Sequence, residues 1–177
     1  EEFVGFPKIA RLNREIVVSE KIDGTNGQVF VSDDGFVKAG SRTQWLGPGN
    51  TNFGFWTWVS DNADKLAALL GPGRHYGEFW GSGINRGYVG TGLPGPTDPT
   101  RVGSGLKKGE KRFSLFNTTR WTETDLSSVP GLGVVPVLYQ GAYQDADIPA
   151  IVEHLGAFGS FVAPGFMNPE GVVIYHT

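Results

Sequence analysis

The sequence predicts an α+β domain that is rich in antiparallel strands. Short apolar runs of strand length recur along the 177 residues, and one pair, residues 28–32 and 36–40, flanks an Asp-Asp-Gly sequence typical of hairpin turns. Two segments have apolar residues at helical spacing. Since no linker leads into a second core, we expect one domain with helices packed on antiparallel sheets.

An Ile-Val-Val run at residues 16–18 predicts a short buried strand, and alternation at residues 28–32 begins the hairpin. The other predicted strands are residues 36–40, 74–80, 113–116, 134–139 and 172–175. A glycine- and proline-rich stretch at residues 90–109 is too long and irregular for a hairpin turn, so we expect a functional or mobile loop.

Two helices are predicted. The first covers residues 55–70, where Trp58, Leu66 and Leu70 have helical spacing and a Gly-Pro-Gly sequence follows. The second begins after Asp147 as N-cap, has Pro149 in its first turn, and is expected to end near residues 155–156.

The composition excludes several classes of protein. The chain has 27 Gly and 11 Pro, but 39 % of its residues are hydrophobic, which a disordered chain lacks. It has no cysteine, so disulfide scaffolds and thiolate metal sites are excluded, and its three histidines match no zinc motif. A net charge of −3 means that any site for a polyanion must be local. No apolar run approaches the roughly 18 residues of a membrane span.

The strongest candidate for chemistry is the sequence Glu-Lys-Ile-Asp-Gly-Thr-Asn at residues 20–26. Lys21 lies where an apolar strand enters a glycine turn, and desolvation there would favour the neutral, nucleophilic amine. Gly24 permits a tight turn beside a ligand. From the residues alone, a strand-end salt bridge followed by a polar turn is the favoured alternative.

Five motifs favour the nucleophilic lysine over this alternative. Residues 20–26 resemble motif I of the covalent nucleotidyltransferases, which comprise ATP-dependent DNA and RNA ligases and mRNA capping enzymes. Glu20 and the Thr-Asn pair at 25–26 favour the RNA ligases of the phage nick-sealing and RNA-editing type. Four matches follow in the family's order: Ser41-Arg42 (motif Ia), Tyr-Gly-Glu-Phe-Trp-Gly at 76–81 (motif III), Phe-Ser-Leu-Phe-Asn at 113–117 (motif IIIa) and Pro-Glu-Gly-Val-Val-Ile at 169–174 (motif IV).

The resemblance implies the ATP-grasp-like nucleotidyltransferase fold, with antiparallel sheets around a nucleotide cleft. It implies that Lys21 attacks the α-phosphorus of ATP to form lysyl-AMP, with Mg²⁺ or Mn²⁺ as cofactor. AMP would then pass to an RNA 5′-phosphate, which is sealed to a 3′-hydroxyl. We therefore expect RNA ends as partners, no membrane partner, and RNA repair in the cytoplasm of a bacterial or phage-infected cell. The oligomeric state stays open.

The same resemblance assigns roles around the nucleotide. Glu20 would accept a hydrogen bond from the adenine amino group, which favours ATP over GTP. Phe116 would stack on the base, with Phe113 as the alternative. Glu78 would bind the ribose hydroxyls.

Four further residues complete the expected site. Asn26 would contact a phosphate or the ribose, and Arg42 would contact phosphate or ribose oxygens. Asp23 has either an orienting or a metal-linked role. Glu170 would bind the divalent cation, because Mg²⁺ is commonly held by one or two carboxylates together with phosphate and water oxygens.

One departure from the family pattern concerns motif V, a strand with a Lys-x-Lys pair that follows motif IV. No lysine follows Lys111 in this sequence. We therefore expect residues 1–177 to be an adenylation domain without its motif V end and without the C-terminal domain of a ligase. Two alternatives remain, the adenylation domain of a DNA ligase and a nucleotide- or RNA-binding protein that has lost catalysis.

Overall fold

A computed structural model describes residues 14–89 and 106–177 as an α+β fold with two sheets. Most of the expected loop at residues 90–109 lies outside these described residues. The strands are β1 (Glu15–Lys21), β2 (Thr25–Val31), β3 (Val37–Gly40), β4 (Gly73–Gly81), β5 (Lys111–Leu115), β6 (Leu132–Val134), β7 (Val137–Ala142) and β8 (Gly171–His176). The helices are α1 (Phe55–Asp61), α2 (Ala63–Leu70), α3 (Glu123–Leu126) and α4 (Ile148–Phe158), with a 3₁₀ turn at Tyr143–Asp145.

The two sheets confirm the α+β class and contain one exception to antiparallel pairing. One sheet has the order β7-β1-β8 and is antiparallel throughout, and the other has the order β3-β2-β4-β5-β6. Within the larger sheet, β6 pairs parallel to β5. The predicted strand 134–139 is split, because Pro136 has no N–H to continue a ladder, and its halves, β6 and β7, join different sheets.

The first predicted helix is interrupted at Asn62. The Asn62 side chain donates to the backbone oxygen of Trp58 over 2.8 Å, and Asn62 has φ −116°. A side chain that donates to the backbone oxygen four residues earlier replaces the backbone hydrogen bond that would continue the helix. Helix α1 therefore ends and α2 begins at this residue. The predicted stop at residues 71–73 is confirmed, since α2 ends at Leu70.

The second predicted helix, α4, begins as expected and ends later. The Asp147 side chain accepts from the N–H of Ala150 over 3.0 Å. The helix continues past Gly156 to Phe158, where Gly159 at φ 78° closes it. The short helix α3 was not predicted, although Thr122 and Asp125 form its capping box.

The main core lies between the larger sheet and helices α1 and α2. Phe55 of α1 packs on Phe79 and Phe113, with ring centroids 5.1 and 4.8 Å apart. A second apolar cluster, which includes Trp80 and Tyr88, lies where the two sheets approach each other. One face of the larger sheet is therefore covered by helices, and Trp80 on its other face packs against the segments that connect the two sheets.

The chain passes from the smaller sheet to the larger one in a single turn, residues 22–24, between β1 and β2. A Cβ on Gly24 would lie 2.4 Å from the backbone oxygen of Phe79 on β4. Only glycine permits so close an approach, so this residue brings the ends of the two sheets together. In the part of the chain that the structure describes, no helix is long and apolar enough to cross a membrane.

Candidate active site

A cavity of about 500 Å³ opens at the seam between the two sheets. All eight residues expected to form the site line it, although they come from five segments of the chain. They are Glu20, Lys21, Asp23, Asn26, Arg42, Glu78, Phe116 and Glu170.

Lys21 and Glu170 meet because of strand register. Lys21 at the end of β1 pairs with Gly171 at the start of β8, so the residue before Gly171 lies beside Lys21. The Lys21 ammonium donates to the Glu170 carboxylate. The Lys21 side chain is 49 % exposed, so the expectation that apolar neighbours desolvate it is wrong. The Lys21 amine is therefore partly exposed to solvent and paired with a carboxylate, rather than buried among apolar side chains.

Glu78 projects from β4 into the cavity and is 8 % exposed. Its carboxylate accepts from the N–H of Gly24 over 3.1 Å and from the side-chain amide of Asn26 over 3.0 Å. Burial raises the pKa of Glu78 to about 7, against the lowering effect of these two hydrogen bonds. Near neutral pH the group is therefore divided between its acid and carboxylate forms.

Asp23 is held by the segment that follows β4. Its carboxylate accepts from the Asn85 side chain over 2.8 Å and from Arg86 Nε over 3.0 Å, while its N–H donates to the Tyr88 hydroxyl over 2.8 Å. Arg86 also donates to Asn168, two residues before Glu170. This network connects the turn after Lys21 to the loop that carries Glu170.

Glu20 is 1 % exposed, and its carboxylate is bound by a loop of the chain itself. One oxygen accepts from the Ser160 hydroxyl over 2.6 Å, and the other accepts from the N–H groups of Phe161 and Val162 over 2.7 and 3.0 Å. These bonds give Glu20 an anchoring role that the sequence did not indicate. Contact between Glu20 and a base stays a prediction.

Arg42 and Phe116 lie at the open rim of the cavity. Arg42 follows β3, and Phe116 follows β5 and is 40 % exposed. The alternative stacking residue, Phe113, is fully buried beneath helix α1. Phe116 is therefore the aromatic ring of this pair that can reach a ligand in the cavity.

The cavity has one carboxylate, that of Glu170, placed to hold a divalent cation. Among residues 14–89 and 106–177, no group of three or more His, Asp or Glu side chains could hold a metal ion. Glu170 offers one carboxylate at the cavity, and Mg²⁺ readily completes its coordination with phosphate and water oxygens. The residues present therefore fit a cation that arrives together with the phosphates of a ligand.

Several supporting contacts were not predicted from the sequence. Asn85 and Tyr88 support Asp23, and both have positive φ values, 43° and 49°. Ser160 supports Glu20 across 140 residues of sequence. The motif at 76–81 pointed toward the neighbourhood of Asn85, but no local signal pointed to Ser160.

Comparison with known proteins gives a family match over most of the chain. A family model described as RNA ligase matches residues 14–177. No curated protein matches the sequence significantly.

Solved structures with the same fold come from the RNA ligase of Naegleria gruberi. A variant with ATP and Mn is 17 % identical, with a TM-score of 0.58, and another with AMP and Mn is 16 % identical, with a TM-score of 0.57. Each match covers 93 % of this chain and 47 % of the solved one. The chain thus shares their fold and spans about half their length.

Proposed function

Because the chain belongs to the RNA ligase family, we propose that it is an ATP-dependent ligase that joins an RNA 5′-phosphate to a 3′-hydroxyl through lysyl-AMP. The observation that carries this proposal is the convergence of eight residues, from five motifs, on one cavity with Lys21 at its mouth. The ATP and AMP in the related solved structures support the choice of nucleotide. We propose a cytoplasmic setting for this reaction.

In the first step, the Lys21 ammonium releases a proton to water and its neutral nitrogen attacks the α-phosphorus of ATP, and a second proton passes from the nitrogen to water as the phosphoramidate forms. The N–P bond forms as the bond to the pyrophosphate oxygen breaks, and pyrophosphate leaves. Glu170 contacts the amine, so its carboxylate orients the nitrogen toward the cavity before attack. Forming a covalent intermediate divides one difficult condensation into easier steps.

The remaining residues bind the nucleotide. Phe116 stacks on adenine, and Glu78 and Asn26 bind the ribose at the floor of the cavity. Arg42 at the rim pairs with phosphate oxygens. Glu20 orders the loop at residues 160–162 beside the base.

Glu170, together with phosphate oxygens, would hold a divalent cation, which supplies positive charge at the α-phosphate when bound. Asp23 does not need to be a metal ligand in this arrangement, because Asn85 and Arg86 already engage both of its oxygens. We therefore assign Asp23 the orienting role.

In the later steps, an oxygen of the RNA 5′-phosphate attacks the adenylyl phosphorus, and the N–P bond to Lys21 breaks. The RNA 3′-hydroxyl then attacks the 5′-phosphate, loses its proton, and releases AMP. Each step exchanges one phosphorus bond for another, so no oxidant or further co-substrate is needed.

We also propose that residues 1–177 are a nucleotidyltransferase unit whose triphosphate site is completed by motif V lysines outside this range. The charge balance of the cavity supports this. Among the described residues that line it, four are carboxylates, and the cations are Lys21 and Arg42. Such a lining holds a highly anionic triphosphate weakly without more positive charge.

The test is formation of a protein–AMP adduct with ATP labelled at the α-phosphate, in the presence of Mg²⁺ or Mn²⁺. We expect an adduct on Lys21, formed slowly by residues 1–177 and faster by a longer chain that carries motif V. Lys21→Ala and Lys21→Arg should both abolish the adduct, since a guanidinium stays protonated. Intact-mass measurement and peptide mapping detect the added AMP.

Lys65→Ala is the matched control, because Lys65 is an exposed lysine on helix α2, behind the larger sheet. It should form the adduct at the normal rate. An unchanged adduct in Lys21→Ala would refute the proposal, whereas nucleotide binding without any adduct in the longer chain would favour a non-catalytic binding protein.

A further inference from the structure

The face of the larger sheet that contributes to the cavity continues beyond it into solvent. Side chains on one face of a strand recur every second residue. On β4 these are Glu78 in the cavity, then Tyr76 and Arg74 outside it, and Tyr76 is 54 % exposed. Because Arg74 pairs with Phe30 across β2 and β4, and Phe30 pairs with Lys38 across β2 and β3, these three side chains form one row.

Cations and aromatic rings alternate on this part of the sheet. Arg74 lies over the rings of Phe30 and Trp45, 5.1 and 5.4 Å from their centroids, and Lys38 lies 4.7 Å from the centroid of Trp45. We call Phe30, Lys38, Trp45, Arg74 and Tyr76 the basic-aromatic surface. Cation–π pairs hold the charged groups close to the rings, so one ligand can meet both.

The charge of this surface is unlike that of the cavity. Two pockets adjoin the cavity on this side, and they share Arg74, Tyr76 and Phe116 with each other. Their lining includes Arg42, Arg74 and Arg120 and, within the described residues, no Asp or Glu. The protein has a net charge of −3, so this concentration of positive charge is local.

We propose that the basic-aromatic surface binds a single-stranded segment of the RNA next to the end that enters the cavity. This inference rests on the proposed function and adds the form of RNA that the protein recognises. Phosphates pair with Arg74 and Lys38, and bases stack on Tyr76 and Trp45. Arg42 and Phe116 lie on both the cavity and the adjoining pocket, so they connect the strand to the reacting centre.

Exposed rings favour a single strand over a duplex. In an A-form duplex the bases stack on one another and offer no free face, whereas unpaired bases stack on aromatic side chains. Successive rows on the sheet are about 7 Å apart, the distance covered by two residues of a strand. Tyr76 and the row that contains Phe30 therefore provide two separate binding positions along one strand of RNA.

The test measures binding of a fluorescent oligouridylate of about 12 nucleotides, and of a duplex of equal length, at several salt concentrations. Tyr76→Ala should weaken single-strand binding about 10-fold, which corresponds to the loss of one stacked base. Arg74→Ala should reduce the slope of log K against log salt by about 0.7, the loss of one phosphate contact. Arg74→Lys should restore the slope because it keeps the charge.

Tyr143→Ala and Lys65→Ala are the controls, since both residues lie outside the surface and Tyr143 is also an exposed aromatic. They should bind RNA as the parent does. Equal loss of duplex and single-strand binding in Tyr76→Ala would overturn the single-strand assignment. Unchanged RNA binding in Tyr76→Ala and Arg74→Ala would overturn the surface altogether, as expected if it serves a protein partner.

The AMP-adduct assay on the longer chain that carries motif V separates this inference from the proposed function. If that chain forms the adduct and the Tyr76 and Arg74 variants bind RNA normally, the RNA-binding surface is excluded and the ligase activity is not. If RNA binding depends on Tyr76 and Arg74 but the longer chain forms no adduct, the ligase activity is excluded and the RNA-binding surface is supported.

Discussion

The larger sheet contributes one face to both the cavity and the basic-aromatic surface, but the two regions are constructed in opposite ways. Carboxylates dominate the lining of the cavity, and Glu20, Asp23 and Glu78 are each held by hydrogen bonds from distant segments. On the surface, Arg74 and Lys38 lie over rings supplied by neighbouring strands and the loop after β3.

The difference shows what each region requires. In the cavity, small displacements of a reacting group matter, and buried carboxylates need several donors to hold them. On the surface, stacking and charge pairing tolerate variation in sequence and geometry. A change in the cavity should therefore affect rate and stability strongly, and a change on the surface should affect RNA affinity moderately.

The largest effect within this contrast is expected for Glu170→Ala. It removes the partner of the Lys21 amine and the carboxylate assigned to the cation, so adduct formation should slow by about 100-fold or more while ATP affinity changes less. Single-turnover rates across a range of Mg²⁺ concentrations measure this, and high Mg²⁺ should restore part of the rate. If neither the rate nor its dependence on Mg²⁺ changes, Glu170 has no role in adduct formation and only precedes strand β8.

Glu78 should make stability depend on pH. The pKa of this group is raised from 4.5 to about 7 on folding, so the folded state binds its proton more tightly than the unfolded state. The free energy of unfolding should therefore fall between about pH 4.5 and 7, by up to about 3 kcal/mol. Urea unfolding at pH 5 and pH 8 measures the fall.

The matched variants for this pH effect are Glu78→Gln, which removes the titration, and Glu153→Gln, which changes an exposed residue of α4. The fall should shrink in the first variant and persist in the second. A fall of equal size in both would show that other groups cause it.

Glu20→Gln tests whether the carboxylate anchors the loop at residues 160–162. A glutamine has one acceptor oxygen for donors that now engage two, so the free energy of unfolding should drop by about 2 kcal/mol. Glu15→Gln, an exposed change on the same strand, should leave it unaltered. Unchanged stability in Glu20→Gln, combined with a lost preference for ATP over GTP, would instead assign the group to base recognition.

Sequence reasoning named residues that the structure brings together. A nucleophilic lysine, a metal-binding carboxylate and a stacking ring are each restricted to a few residue types, and the candidates Lys21, Glu170 and Phe116 line one cavity. Their roles there stay predictions. The hairpin and the helix starts follow from short-range rules of turn and cap formation, which is why β2–β3 and α4 were anticipated.

The errors arise where distant partners decide the outcome. The burial of Lys21 depends on how β8 and the loop before it pack beside β1. Lys21 forms the last pair of the β1–β8 ladder, and its side chain is 49 % exposed there. Ser160 matters only because the fold places it on Glu20. The division of residues 134–139 between two sheets likewise depends on which neighbours each half meets.

The seam between the sheets has a consequence for the adenylylated protein. Lys21 belongs to the smaller sheet, and Phe116 follows a strand of the larger one. An AMP that is bonded to Lys21 and stacked on Phe116 would link the two sheets, through a covalent bond at one end and a stacking contact at the other. The adenylylated protein should therefore resist proteases and thermal unfolding better than the protein without AMP.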